Sequence, residues 1–233
     1  MRMFQRTNFT GAWGLKGPIA ALAIYSCVLF PILHILFPRS QQWASIIYPA
    51  YFGLMVTLII LTRHATWRQL GFHKEHWKQN LILGGLAGIL VVGMVPLLEL
   101  LVGVSGLDQT ELFSGADQRL SQEPEGGSSF AAFIVPMILI VLAEQGFLTG
   151  YVLQALIRKG KPALAVYLGG LIFALTHFDL QLGMFLLGLT ASSFYWLTGS
   201  LVAPLIFQMA CHTAVWLLAQ HYPKVFTLLG FLF

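Results

Sequence analysis

Residues 142–156 read LAEQGFLTGYVLQAL. The stretch is apolar enough to lie in a bilayer, yet it carries an acid, Glu144, with an amide, Gln145, beside it. A carboxylate at bilayer depth costs a few kcal/mol on insertion scales, so such residues face a protein interior and mark functional sites. The rest of the chain says that this depth is real. Of 233 residues, 57% are hydrophobic and 9% charged, with a mean hydropathy of +0.77, whereas an ordinary soluble domain is about a quarter charged. This is the composition of an integral membrane protein. Cys27 and Cys211 both fall in apolar segments, so no disulfide framework is implied. The net charge of +4 comes from the connections, which points to membrane orientation and away from nucleic acid.

A membrane-spanning helix needs roughly 20 apolar residues. Seven stretches qualify or nearly so, at about 17–37, 44–62, 80–104, 130–157, 162–177, 182–198 and 201–220. The expected fold is therefore all-α, a polytopic membrane helical bundle of about seven transmembrane helices, with residues 1–233 as one membrane domain. Lysine and arginine set its orientation. Arg2, Arg6, Lys16, Arg63, Arg68, Lys74, Lys78, Arg158, Lys159 and Lys161 fall on one side, against Arg39, Arg119 and Lys224 on the other. By the positive-inside rule the N-terminus is cytoplasmic. The longest connection, 105–129, is acidic, rich in Gly and Ser, and expected outside as a solvated loop. The expected location is a multi-pass integral membrane position in a prokaryotic inner membrane.

Ionisable residues inside the spans are few. His34 and Glu99 lie near outer helix ends, where side chains reach water. At 1.5 Å per residue, Glu144 lies about 20 Å from the cytoplasmic end of its helix, His177 about 22 Å and His212 about 17 Å, with Gln208 at about 11 Å. An acid and two histidines thus reach a similar level on three helices. Such a set can hold a divalent metal and activate water, or do without the metal with Glu144 as general base. It can also be an inter-helix hydrogen-bond cluster that only joins the bundle. The residue types leave both readings open. The Gly-xxx-Gly spacing of GGLAG, 84–88, reads as a close helix contact.

The segments AEQGFLTGYVLQAL, GGLIFALTHF and FLLGLTASSFYWLTGSLVAPLIFQMACH resemble, in order and spacing, the three signature helices of the CPBP intramembrane proteases. This is the family of CAAX prenyl endopeptidases and bacteriocin-processing or self-immunity membrane proteins. The resemblance covers about 131–218. Its first motif is two Glu, three residues, then Arg; here Glu144 keeps the first Glu, Gln145 replaces the second, and Thr149 replaces the Arg. The second motif, Phe, three residues, then His, is intact as Phe173 and His177. In the third, a His four residues after a Pro and an Asn four later, Gln208 follows Pro204 and His212 takes the Asn position.

The resemblance implies an endopeptidase that cleaves a membrane-embedded or lipidated peptide or protein within the lipid bilayer. It implies that Glu144 and His177 activate water and that Gln208 and His212 stabilise the oxyanion. The implied metal, zinc or another divalent ion, would be held by Glu144, His177 and His212. Loss of the second Glu together with the Arg reads as one change, because either charge alone would be left buried without its partner. A non-catalytic member that binds or shields a membrane partner through the same cavity is the alternative.

Overall fold

The computed structural model describes residues 14–36, 41–73, 75–105, 130–177, 182–222 and 225. Arg2, Arg6, Arg39, Lys74, Arg119 and Lys224, which bear on orientation, and the connection past Ser105 lie outside the described residues. Among the described residues there is no strand. In hydrocarbon every backbone N–H and C=O must find its partner within the protein, so long apolar runs close into helices.

The helices in chain order are α1 (Lys16–Leu36), α2 (Gln41–Leu61), the single turn α3 (Trp67–Leu70) and α4 (Trp77–Val104). The fifth, α5, is one unbroken run: α-helical over Phe130–Glu144, π-helical over Gln145–Leu153, and α-helical again over Gln154–Lys159. Then come α6 (Pro162–Thr176), α7 (Leu182–Thr198) and α8 (Val202–His221). Helices therefore occupy all seven segments expected to span, and the chain is an all-α membrane bundle. By length and apolarity four of the described helices can cross a membrane: Lys16–Leu36, Trp77–Val104, Phe133–Lys159 and Val202–His221. The apolar stretches Ile46–Leu61, Pro162–Thr176 and Leu182–Thr198 are shorter. With 15 residues, α6 rises about 22 Å, less than the roughly 30 Å hydrocarbon core. It stops at Thr176 because the polar residues of THFDLQ follow, and His177 becomes its C-cap.

Helix α3 was not expected as a separate element, since four residues carry no periodicity. Local chemistry builds it. Thr66 and Gln69 form a capping box, and Gly71 ends the turn in the left-handed region at φ 109°, where a side chain would be strained. A Cβ on Gly71 would also run into the Tyr195 ring. The turn is pinned to the end of the bundle: Leu201 N–H donates to the Gly71 carbonyl (3.0 Å), and the Gln154 amide donates to the Gln69 carbonyl (2.9 Å). Leu70 is fully buried by this docking.

Lipid tails are as apolar as leucine, so membrane helices associate through close packing of small residues more than through hydrophobicity. The GGLAG stretch shows this. Gly84 lies against the backbone of Ala203 and Gly88 against the Cβ of Ala210, which joins α4 to α8, while a Cβ on Gly85 between them would meet nothing within 4 Å outside its own stretch of helix. Gly170 and Gly188 bring α6 and α7 together in the same way, against Leu189 and Phe173. Overpacking such a contact costs about 1–3 kcal/mol. Gly84→Leu is accordingly expected to lower the thermal unfolding midpoint in detergent, and Gly85→Leu to leave it near the parent's; equal effects would contradict the packing.

Candidate active site

Glu144 is the last α-helical residue of α5 before its π-helical stretch begins. π turns inside α-helices occur at functional sites, where they re-aim side chains. Two glycines let neighbours approach this stretch: Gly146 faces Val56 of α2, and Gly150 faces the Leu70 carbonyl. Its polar side chains point inward. Glu144 is 2% exposed, Thr149 3%, and Gln145 of α5 and Gln208 of α8 are fully buried.

These four side chains make one hydrogen-bonded chain. Thr149 Oγ1 donates to Gln145 Oε1 (2.6 Å), Gln145 Nε2 donates to Gln208 Oε1 (2.6 Å), and Gln208 Nε2 donates to Glu144 Oε2 (2.5 Å). Gln208 Nε2 also stands 3.4 Å from His212 Nε2, one turn further along α8. An amide nitrogen only donates, so His212 Nε2 is the acceptor there and its proton sits on Nδ1.

His177 completes the cluster from α6. Its Nδ1 is 2.7 Å from the Phe173 carbonyl oxygen. A carbonyl only accepts, so Nδ1 carries the proton, and Nε2 points at Glu144 Oε1 across 3.6 Å. Two rings hold the imidazole in place. Phe173 lies beside it with ring centroids 4.7 Å apart, and Tyr48 of α2 at 4.6 Å. The Tyr48 hydroxyl is 3.4 Å from His177 Nδ1, and its ring continues into the buried aromatic group of Tyr25, Tyr51 and Phe52.

All seven residues singled out by sequence therefore stand in one place: Glu144, Gln145, Thr149, Phe173, His177, Gln208 and His212. Tyr48 is the member that sequence reasoning missed. It is 129 residues from His177 in the chain, and SIIYPAYF carries no spacing that would single it out from an ordinary aromatic stripe.

The fit of the site to a metal can be judged from its donors. Glu144 and His177 approach each other, but the Gln208 amide stands between Glu144 and His212. Among the described residues no group of three or more His, Cys, Asp or Glu side chains is close enough to hold a metal ion. An amide is also a poor ligand for a transition metal. As arranged, the residues do not fit a three-ligand metal centre, and no chemical step below is routed through one.

Residues 126–214 match the family model described as type II CAAX prenyl endopeptidase Rce1-like. The matched segment contains Glu144, Gln145, Thr149, Phe173, His177, Gln208 and His212, and leaves Tyr48 outside. Over it the chain is similar to the CAAX-type intramembrane endopeptidases, in keeping with the resemblance to CPBP proteases carried by its three motifs. No curated protein and no solved structure matches the chain.

Proposed function

We propose that this chain, a helical integral membrane protein whose residues 126–214 are CAAX-endopeptidase-like, is a multi-pass intramembrane endopeptidase that cuts a prenylated or otherwise membrane-held peptide near its C-terminus. The observation that supports this reading is the 3.6 Å approach of Glu144 Oε1 to His177 Nε2. With the proton of His177 on Nδ1, both facing atoms are hydrogen-bond acceptors. A water molecule bridging them gives one hydrogen to each and leaves its lone pairs to attack. Glu144 is buried while 18% of the His177 side chain is exposed, so the developing charges are partly shielded from bulk water and interact more strongly than they would in solution.

In the reaction the water oxygen bonds to the scissile carbonyl carbon while Glu144 accepts the water proton. The carbonyl oxygen becomes an oxyanion. Gln208 has a second N–H engaged only by the long 3.4 Å contact to His212, and that N–H is the donor available to the oxyanion, with His212, its proton on Nδ1, as the neighbour that can turn to join it. Collapse of the intermediate breaks the C–N bond as Glu144 passes its proton to the leaving amine. No net proton is gained or lost.

A second reading, a non-catalytic protein that holds a membrane partner in the same cavity, is favoured by one observation: the Glu-to-Arg ionic arrangement of the family is replaced here by the neutral Gln145 and Thr149. The two readings separate on a farnesylated peptide added to liposomes carrying the purified protein, followed by mass spectrometry. The expected result is release of the residues beyond the lipidated cysteine, with the unlipidated peptide cut far more slowly. A peptide that stays bound and uncut would overturn the enzymatic reading in favour of the binding one.

A further inference from the structure

We infer that Thr149 and Gln145 are positioning residues: a charge-free relay, its polarity set by the Glu144 carboxylate and closed by a threonine hydroxyl, that holds the Gln208 amide in place on Glu144. The inference rests on the reading of Glu144 as the base. It starts from the polarity of the chain of hydrogen bonds. A carboxylate only accepts, so the Gln208 group on Glu144 Oε2 must be its NH2. Its oxygen then faces Gln145 and must be met by the Gln145 NH2, whose own oxygen faces Thr149 and must be met by a hydroxyl proton. Every orientation is fixed, and in only one sense.

The relay depends on an unusual use of the Thr149 hydroxyl. Thr57, Thr62, Thr198 and Thr213 each donate to the backbone carbonyl four residues back, at 2.6–2.8 Å, the ordinary habit of a helical threonine. Thr149 instead donates to the side chain four residues back. It lies in the π-helical stretch, whose backbone bonds run one residue further than in an α-helix, so the i−4 carbonyl is no longer its natural partner. The π register and the relay are thus two sides of one arrangement.

Without the hydroxyl, Gln145 Oε1 loses its donor and the Gln145 amide can turn. A full turn would set oxygen against oxygen at Gln208, whose own sense the carboxylate fixes, so the loosened Gln145 instead leaves Gln208 Oε1 less firmly held. Both the N–H on Glu144 and the second N–H meant for the oxyanion would then be held less firmly in their positions. Gln145 and Thr149 thereby hold Glu144 Oε2 occupied and leave Oε1 for His177 and water, with no buried charge added.

The test uses the full chain with 15N-labelled glutamine in detergent, comparing the parent with Thr149→Val, Thr149→Ala and Thr149→Ser. The readouts are the side-chain amide NMR signals of Gln145 and Gln208, and kcat and KM on the farnesylated peptide. Loss of the hydroxyl in Val or Ala is expected to move both amide signals, including that of Gln208, which Thr149 does not touch. It should lower kcat about tenfold with KM unchanged, the effect of one lost hydrogen bond of about 1.4 kcal/mol. Thr149→Ser should restore both. A Gln208 signal identical in parent, Val and Ala would overturn the relay. If the parent cuts no peptide, the endopeptidase reading fails while the amide signals still decide the relay.

Discussion

Glu144→Gln is expected to lower kcat by about 10²–10⁴-fold, the range that a positioned general base contributes, with little change in unfolding midpoint. The substitution is isosteric. Its amide oxygen can still accept the Gln208 N–H now given to Oε2, so the Thr149–Gln145–Gln208 chain keeps its polarity. What disappears is the ability to take a proton from water and return it to the leaving amine. The check is single-turnover cleavage alongside thermal unfolding of the same preparation. Cleavage at the parent's rate would remove Glu144 from the chemistry. A collapse of stability together with activity would instead mean that the carboxylate serves the fold.

His177→Ala is expected to have the next largest effect, a loss of about 10²-fold or more in kcat, and for a separable reason. The change removes the Nε2 acceptor 3.6 Å from Glu144, so the water keeps one anchor where it had two. It also empties the space between the Phe173 and Tyr48 rings, and the unfolding midpoint should fall with it. His177→Gln separates the two losses. It refills part of the space, and it is expected to recover stability more than rate. Recovery of full rate by the glutamine variant would contradict a water-orienting imidazole.

Much of this was legible before the structure, because the controlling terms are local. Long apolar runs can satisfy their backbone in a bilayer only as helices, so the seven helical segments could be placed from hydropathy alone. Glu144, His177 and His212 stood out because ionisable groups are costly at that depth. That Gly84 and Gly88 make a close helix contact was likewise readable from their spacing, though not that the partner is α8. The remainder depends on tertiary contacts that no window of sequence contains. The π register of Gln145–Leu153 has no propensity signature. Tyr48 reaches His177 only when α2 packs against the bundle.

Gln208 is the most instructive residue. The family resemblance implied an oxyanion donor, and the N–H its oxygen accepts from Gln145 and the N–H it gives to Glu144 became visible only when α5 and α8 were set side by side. Residue identity named the chemistry available to the amide. Packing decided which of its atoms remained to be used.

The most direct measurement on the water-activating pair is one turnover of the farnesylated peptide in 18O-labelled water, with the label then sought in the new peptide carboxylate and in Glu144. Attack by a water held between Glu144 and His177 puts 18O in the peptide carboxylate from the first turnover and none in Glu144. Label appearing in Glu144, with the first-turnover product unlabelled, would make the carboxylate a nucleophile and contradict the role given to it here.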